Sequence, residues 1–214
     1  MKEQGRAMPH IPLSTTDKIS VLTFDEAMCP SDECDYDREK WLYVPDFYSE
    51  YRYILGTRGK RPLVTIGINP STARPDDLDN TLKSVERIAL GNGYDSFIMF
   101  NVYAQRATDP DHMEKELNLL LHRENMRAFE YVLSLSENPH IWAAWGTIIN
   151  KRPYLPDCVA DMIEIGERHG AKWFTSGARS KVGGHPHHPL YLKKDSTLDF
   201  FDVREYLDSL IIKK

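Results

Sequence analysis

The sequence predicts an α/β protein whose central sheet is short, mainly parallel and four-stranded. Apolar, β-branched segments with the composition of buried strands occur at residues 62–68, 96–103, 141–146 and 171–175. Segments with apolar residues at helical spacing separate these strands along the chain. Because strand and helix alternate, the connections should be right-handed crossovers that cover both faces of a parallel sheet with helices.

Further elements complete this pattern. Strands are also predicted at residues 19–24, 41–44 and 51–56. The last of these joins the first core strand through the tight connection at residues 58–60, which favours antiparallel pairing at the sheet edge. Helices are predicted near residues 78–90, 123–135, 157–169 and 198–210.

Length and composition limit the class of protein. The 214 residues fit one α/β domain at residues 19–214, after a flexible, proline-punctuated arm at residues 1–18. A hydrophobic content of 41% and a charged content of 28% are ordinary for soluble globular proteins. With no long apolar run, no signal-peptide pattern and three cysteines, we expect a cytoplasmic protein without a membrane partner. The oligomeric state stays open.

A polar loop follows each core strand. These loops carry Asn69-Pro70-Ser71-Thr72, Asn101-Val102-Tyr103, Trp145-Gly146-Thr147 and residues 180–191. Because open α/β sheets bind ligands at the carboxyl ends of their parallel strands, we expect the four loops to share one cleft. Gly67, just before the first loop, permits close approach of a ligand or another backbone segment.

Two asparagines in these loops are candidate ligand contacts. The Asn69 carboxamide can hold a water or read a ligand edge, or it can form an Asx turn with Pro70. Asn101 ends an apolar strand, where its amide can recognise a base edge or brace a loop. Tyr103 and Tyr191 are placed to stack on a ring. All four residues suit the recognition of a heterocycle.

The histidines and charged residues near the loops offer further chemistry. His188 is the candidate donor to developing negative charge, and metal binding by His185 and His187 is the alternative. No carboxylate or cysteine lies close to them in sequence, so no metal or other cofactor is assigned. Asp79 either caps the following helix or faces the cleft as a stronger base than Asn69. Four cations are candidate phosphate contacts: Arg74, Arg106, Arg179 and Lys181.

Several of these motifs, in this order, resemble the uncharacterised family known as domain of unknown function 1643. The resemblance covers about residues 50–195. Its carriers are residues 67–73 (Gly-Ile-Asn-Pro-Ser-Thr-Ala), 79–81 (Asp-Asn-Thr), 93–94 (Gly-Tyr), 100–104 (Phe-Asn-Val-Tyr-Ala), 106–110 (Arg-Ala-Thr-Asp-Pro), 144–146 (Ala-Trp-Gly) and 188–191 (His-Pro-Leu-Tyr). The family itself names no reaction.

A more distant resemblance, to the uracil-DNA glycosylase superfamily, carries chemistry. Those enzymes place a Gly-x-Asn/Asp-Pro loop, an Asn, a Trp-Gly and a His-Pro loop after successive core strands. The resemblance implies a three-layer α/β/α sandwich in which Asn69 positions water, Asn101 reads a flipped base and His188 stabilises the departing base. Two features depart from it. Pro-Leu-Tyr follows His188 in place of Pro-Ser-Pro-Leu, and Asn69 replaces the carboxylate of the fastest members.

We therefore expect a glycosylase-like cleft that recognises a nucleobase or nucleotide, with hydrolysis of an N-glycosidic bond as the sharpest mechanistic hypothesis. Asn69 and His188 would be catalytic. The expected substrate contacts are Gly67, Pro70, Ser71, Asn101, Tyr103, Gly146 and Tyr191. One alternative is a non-catalytic module that binds a nucleotide or nucleic acid. Another is a hydrolase of a different small molecule with Asp79 or a metal-bound histidine as base. The net charge of −5 is unhelpful for duplex DNA.

Overall fold

A computed structural model describes residues 8–32 and 34–211 of the chain. Its seven strands are β1 (Trp41–Val44), β2 (Ile54–Thr57), β3 (Pro62–Gly67), β4 (Ser96–Asn101), β5 (His140–Ala143), β6 (Lys172–Thr175) and β7 (Asp199–Phe200). They form one sheet in the order β1-β2-β4-β3-β5-β6-β7. The central strands β4, β3, β5 and β6 are parallel, as the sequence predicts.

Both edges of the sheet are antiparallel. β1 and β2 are antiparallel edge strands, as predicted, but β2 pairs with β1 and β4 and not with β3, the strand to which the tight connection at residues 58–60 leads. At the other edge, β7 pairs with β6. The sheet is therefore larger than predicted, because the two-residue strand β7 is too short to produce a sequence pattern.

Helices cover both faces of this sheet. They are α1 (Phe24–Ala27), α2 (Asn80–Gly91), α3 (Leu119–Ser134), α4 (Leu155–Arg168) and α5 (Val203–Ile211). Leu63 packs with α2 in one apolar cluster, whereas the adjacent Val64 packs with α3 and α4 in another. This alternation defines two sides of the sheet, called here the α2 face and the α3–α4 face.

The strand order locates the point where a ligand is expected. The chain passes from β3 to its neighbour β4 and then crosses back to place β5 on the other side of β3. The carboxyl ends of β3 and β5 are therefore a topological switch point, where the flanking connections leave in opposite directions and a crevice forms.

Three predicted elements differ from the structure. The helix predicted near residues 198–210 begins only at Val203, after the strand β7. Residues 19–24 are not a strand; the segment leads into α1, which begins with a capping box between Thr23 and Glu26. The local hydrogen bonds of this box favour a helix start over an extended chain. The predicted helix at residues 123–135 begins earlier, because Asn118 accepts a hydrogen bond from the backbone N–H of Leu121.

The amino-terminal segment lies against the rest of the protein from His10 onward. The His10 backbone N–H donates to Thr108 Oγ1 over 2.7 Å, and its ring Nε2 lies 3.2 Å from a Glu50 carboxylate oxygen. Thr16 is buried and donates to the Glu114 carboxylate. These contacts hold residues 10–16 in place, whereas residues 1–7 of the predicted arm lie outside the described residues. Among the described helices, none has the length and apolar character needed to cross a membrane.

Candidate functional site

The loops after β3, β4 and β5 meet at the switch point. Gly67 and Asn101 are paired residues at the ends of β3 and β4. After β5, Gly146 adopts a φ of 62°, and a Cβ placed there would lie 3.6 Å from the Cβ of His188. The structure thus places Asn101 beside Gly67 and His188 beside Gly146, at the ends of strands that flank one another.

Asn101 is the most unusual of these residues. Its side chain lies on the α2 face and is only 1% exposed, yet neither Oδ1 nor Nδ2 has a hydrogen-bond partner in the described part of the chain. Its Oδ1 lies 3.2 Å from the position that a Cβ would take at Gly67. A buried amide without partners costs on the order of 1–3 kcal/mol per unpaired group, so native proteins rarely keep one without a reason.

Two more unpaired groups share the α2 face with Asn101. Thr65 and Trp142 are paired residues on β3 and β5, and both are fully buried. Neither Thr65 Oγ1 nor Trp142 Nε1 has a partner among the described residues. Thr65 lies two residues before Gly67, so alternation places it on the same face. Thr65, Asn101 and Trp142 are called here the polar floor.

His188 is half-buried, and one of its two ring nitrogens has a hydrogen-bond partner. Its Nδ1 accepts the backbone N–H of Leu190 over 3.3 Å, so a neutral ring carries its proton on Nε2. Burial lowers the pKa of His188, and the nearby Asp79 carboxylate only partly opposes this. At neutral pH the ring is therefore uncharged and presents Nε2–H as a donor.

Asn69 braces its own loop. Its Nδ2 donates to the carbonyl oxygens of Pro70, over 3.1 Å, and Ala107, over 2.7 Å. Both amide hydrogens are therefore used within the loop, and only Oδ1 is left to accept a hydrogen bond from a water. The structural role and the predicted water-holding role can coexist in this geometry.

Asp79 performs the predicted capping role. Its Oδ1 accepts the backbone N–H of Leu82 over 2.9 Å at the start of α2. The negative charge of Asp79 also raises the pKa of His188 and the pKa of Arg52, whereas burial lowers both. Asp79 therefore lies at the edge of the site as well as at the helix cap.

Tyr103 is placed away from the polar floor. It is fully buried, and its hydroxyl donates to Glu114 over 2.5 Å and accepts from the backbone N–H of Asn118. The strand ends at Asn101, so the alternation of side chains is lost before Tyr103. In this structure Tyr103 packs in the core of the α3–α4 face and offers no ring face to a ligand. The side chain of Tyr191 lies outside the described part of the structure.

The predicted contacts at Pro70 and Ser71 belong to the loop after β3. The buried Pro70 accepts the backbone N–H of Ala107 with its carbonyl oxygen. The hydroxyl of Ser71 lies 3.0 Å from that of Thr108. Both residues therefore join this loop to the chain that follows β4, which keeps the two strand-end loops together.

Three of the four predicted phosphate contacts lie at the surface. Arg74 is exposed between the carboxylates of Asp35 and Asp77, at 4.0 and 3.8 Å. Arg179 is exposed, and its guanidinium lies 5.7 Å from the ring centre of Phe201. Lys181 is also exposed. The fourth, Arg106, is completely buried.

Arg106 has a buried neighbour that the sequence reasoning missed. Its Nη1 donates to the carbonyl oxygens of Ser71 and Ala73, and its Nη2 donates to Tyr43 Oη over 2.9 Å. Arg52 is 1% exposed and donates from Nη1 to the same Ala73 carbonyl over 3.0 Å. No local sequence pattern marks Arg52, which lies between Tyr51 and Tyr53 in the edge strand predicted at residues 51–56.

The other loop histidines have structural partners. The buried His185 ring contacts Tyr206 Oη and Asn150 Nδ2, both at 2.9 Å. His187 Nδ1 lies 2.8 Å from the carbonyl oxygen of His188. Among the described residues, no three His, Cys, Asp or Glu side chains are grouped to hold a metal ion. The structure thus gives the metal-based alternative no support.

The site is closed by the segment after β6. A 3-10 helix, Pro189–Tyr191, packs against α2, and Arg87 Nη2 lies 3.4 Å from the carbonyl oxygen of Leu192. Two surface cavities, of about 390 and 450 Å³, lie elsewhere and include neither Asn101 nor His188 in their walls. Because Asn101 is only 1% exposed, a ligand can reach its amide only if neighbouring side chains or this segment move.

Comparison with known proteins identifies the family. The model described as "Protein of unknown function (DUF1643)" matches residues 52–190. The chain belongs to this family. The matched region begins at Arg52 and contains every predicted site residue except Tyr191. No curated protein and no solved structure matches the chain.

Proposed function

We propose that this protein recognises a nucleobase or nucleotide at Asn101 and hydrolyses its N-glycosidic bond. The observation that carries the proposal is the buried amide of Asn101, with an acceptor and a donor group that are both unpaired. Carboxamides recognise base edges through such an adjacent donor and acceptor. The distant resemblance to uracil-DNA glycosylases favours the same assignment for Asn101.

Gly67 supports this use of Asn101. A Cβ at that position would lie 2.6 Å from Met99 Cε and 3.2 Å from Asn101 Oδ1, so a side chain there would press on the amide. Glycine leaves the Asn101 amide unobstructed on this side. A flat ring hydrogen-bonded to Asn101 would then lie against the backbone of β3.

The proposed reaction assigns one task to His188 and another to Asn69. Water attacks C1′ of the sugar, the C1′–N bond breaks, and its electron pair moves onto the base. His188 Nε2–H donates a hydrogen bond to the carbonyl oxygen of the base, which gains negative charge. Asn69 Oδ1 accepts a hydrogen bond from the attacking water, and the proton released by that water is balanced by protonation of the free base through solvent.

Binding without hydrolysis is the second candidate function. Asn69 favours it, because a carboxamide is a weak base and both of its amide hydrogens already brace the loop. Hydrolysis of another small molecule with Asp79 as base has less support, because that carboxylate already caps α2. The two leading candidates share one ligand class and differ in whether the C1′–N bond is broken.

Release of free base tests the proposal. Substrates should include uracil, hypoxanthine and alkylated bases in DNA, RNA, nucleosides and nucleotides. We expect at least one substrate to release its base, with rates reduced about 10²-fold or more in His188→Ala and Asn69→Ala. Arg58→Ala is the matched control, because Arg58 is exposed and distant from the site, and its rate should equal wild type. No release from any substrate, with ligand binding retained, would establish the binding module instead.

A further inference from the structure

We propose that the ligand carries a terminal phosphate held by Arg52 and Arg106, which makes the substrate class a nucleoside monophosphate. This inference rests on the proposed function. It adds a phosphate-binding region to the site in which Asn101 reads the base. None of the sequence patterns points to Arg52. Its burial, its contacts and its position relative to Asn101 are what assign it this role.

The first observation is the burial of two guanidinium groups that form no ion pair among the described residues; the Asp79 carboxylate acts on Arg52 only from beyond ion-pair distance. Arg52 is 1% exposed and Arg106 is fully buried. Neither forms an ion pair with a carboxylate in the described part of the chain, whereas other arginines do. Burial and the Arg106 charge lower the pKa of Arg52 to about 9, so it is still protonated at neutral pH. A buried charge is costly unless an opposite charge accompanies it.

The second observation concerns the N–H groups that are still available. Arg52 uses Nη1 for the Ala73 carbonyl, whereas its Nε and Nη2 have no partner among the described residues. These two nitrogens form one edge of the planar guanidinium, the fork that binds two oxygens of a phosphate or carboxylate. Arg106 uses both terminal nitrogens and leaves its Nε unpaired.

Charge and burial favour a phosphate monoester over other anions. A phosphate monoester carries about −1.5 to −2 charges at pH 7, which matches two guanidinium groups, whereas a carboxylate or phosphodiester carries one. A diester must also continue into a polymer on both sides, which an enclosed pair of arginines does not accommodate. The exposed part of the same loop carries Asp76 and Asp77 paired with Lys40 and Arg74, so it presents no excess of positive charge to a nucleic-acid backbone.

Hydrogen bonds and a shared loop connect the arginine pair to the strand end that carries Asn101. The Arg52 backbone N–H donates to the carbonyl of Ala104, only three residues after Asn101. The loop that leaves Gly67, beside Asn101, reaches Ala73 at the guanidinium of Arg52. One loop therefore joins the base-reading end to the phosphate-binding end.

Calorimetric titration tests this assignment. The ligands are uridine and inosine monophosphates, the matching nucleosides, ribose 5-phosphate and a short single-stranded oligonucleotide. We expect the monophosphates to bind wild type at least tenfold more tightly than the nucleosides. Arg52→Lys keeps the charge but loses the fork, and should weaken monophosphate binding about 10- to 100-fold without changing nucleoside binding. Arg58→Lys is the matched control and should change neither affinity.

The outcomes separate this inference from the proposed function. Equal affinity of wild type for nucleotide and nucleoside, or tighter binding of the oligonucleotide than of the monophosphate, overturns the phosphate site and leaves base recognition standing. Binding of ribose 5-phosphate that Arg52→Lys weakens, with no discrimination among bases, supports the phosphate site and contradicts the proposed function. If Arg52→Lys shows no cooperative melting, the wild-type comparison of nucleotide with nucleoside decides alone.

Discussion

Glu124 on α3 and Asn101 at the end of β4 are equally buried polar residues with opposite surroundings. Each is 1% exposed. The Glu124 carboxylate accepts the backbone N–H of Phe24 over 2.9 Å and also pairs with Arg123 and Arg127, at 3.0 and 2.9 Å. The amide of Asn101 has no partner at all in the described part of the chain.

The difference separates groups that hold the fold together from groups that are available to a ligand. A buried carboxylate with three partners stabilises the contacts between α1 and α3, and most of its hydrogen-bonding capacity is used within the protein. A buried amide without partners contributes nothing comparable to stability, so its retention indicates another use. The following predictions test this distinction, from the largest expected effect on stability to the smallest.

Replacing the charge at Glu124 should cause the largest loss of stability. Glu124→Gln keeps the size of the side chain but leaves Arg123 without its charged partner and Arg127 with Asp25 alone. We expect a loss of roughly 2 kcal/mol, because hydrogen bonds to a charged group are replaced by weaker neutral ones, and a melting temperature lower by roughly 4–8 °C for a protein of this size. Urea denaturation of wild type and variant measures it. A change below about 0.5 kcal/mol would contradict the structural role assigned to Glu124.

The contribution of Glu124 should disappear at acid pH. Its hydrogen bonds to Phe24, Arg123 and Arg127 outweigh burial and lower the pKa of Glu124 below its ordinary value of 4.5. A carboxylate with a lowered folded-state pKa stabilises the protein above its unfolded-state pKa and loses that effect as the pH falls through the folded-state value. The stability difference between wild type and Glu124→Gln should therefore be constant at pH 6–8 and shrink below about 4.5. A difference that stays constant to pH 3 would contradict this.

Gly67→Ala should have a smaller effect on stability and a larger one on binding. The added methyl would meet Met99 Cε, which can move, and Asn101 Oδ1, which has less room. We expect a loss of about 1 kcal/mol, together with weaker ligand binding because the amide is displaced. Thermal melts and titration of the same samples measure both. Unchanged binding would show that the space beside Gly67 is not used by the ligand.

Much of the fold follows from the sequence alone. The parallel strands and main helices were predicted because apolar periodicity is a local property of the chain. The convergence of Gly67, Asn101, Gly146 and His188 was expected because the carboxyl ends of parallel strands share one edge of the sheet. The short strand β7 and the shift at residues 19–24 were missed because tertiary pairing and local capping decided them.

The arginine pair shows why the rest of the site could not be predicted. The buried guanidinium of Arg52 donates to the Ala73 carbonyl in the loop after β3, and such a long-range contact produces no local pattern. Tyr103 was assigned to the site because it falls in a strand-end loop, but its side chain packs in the core of the α3–α4 face. In both cases tertiary structure, rather than residue type, decided the role.

The most direct test of the central claim is to measure the stability and ligand affinity of Asn101→Leu together. Leucine has a similar shape and removes two unpaired polar groups, so the melting temperature should be unchanged or higher. Affinity for the nucleoside or nucleotide that binds wild type should fall at least tenfold, because the base-reading amide is lost. A lower melting temperature by several degrees with unchanged affinity would show that Asn101 is a structural residue and would contradict the account.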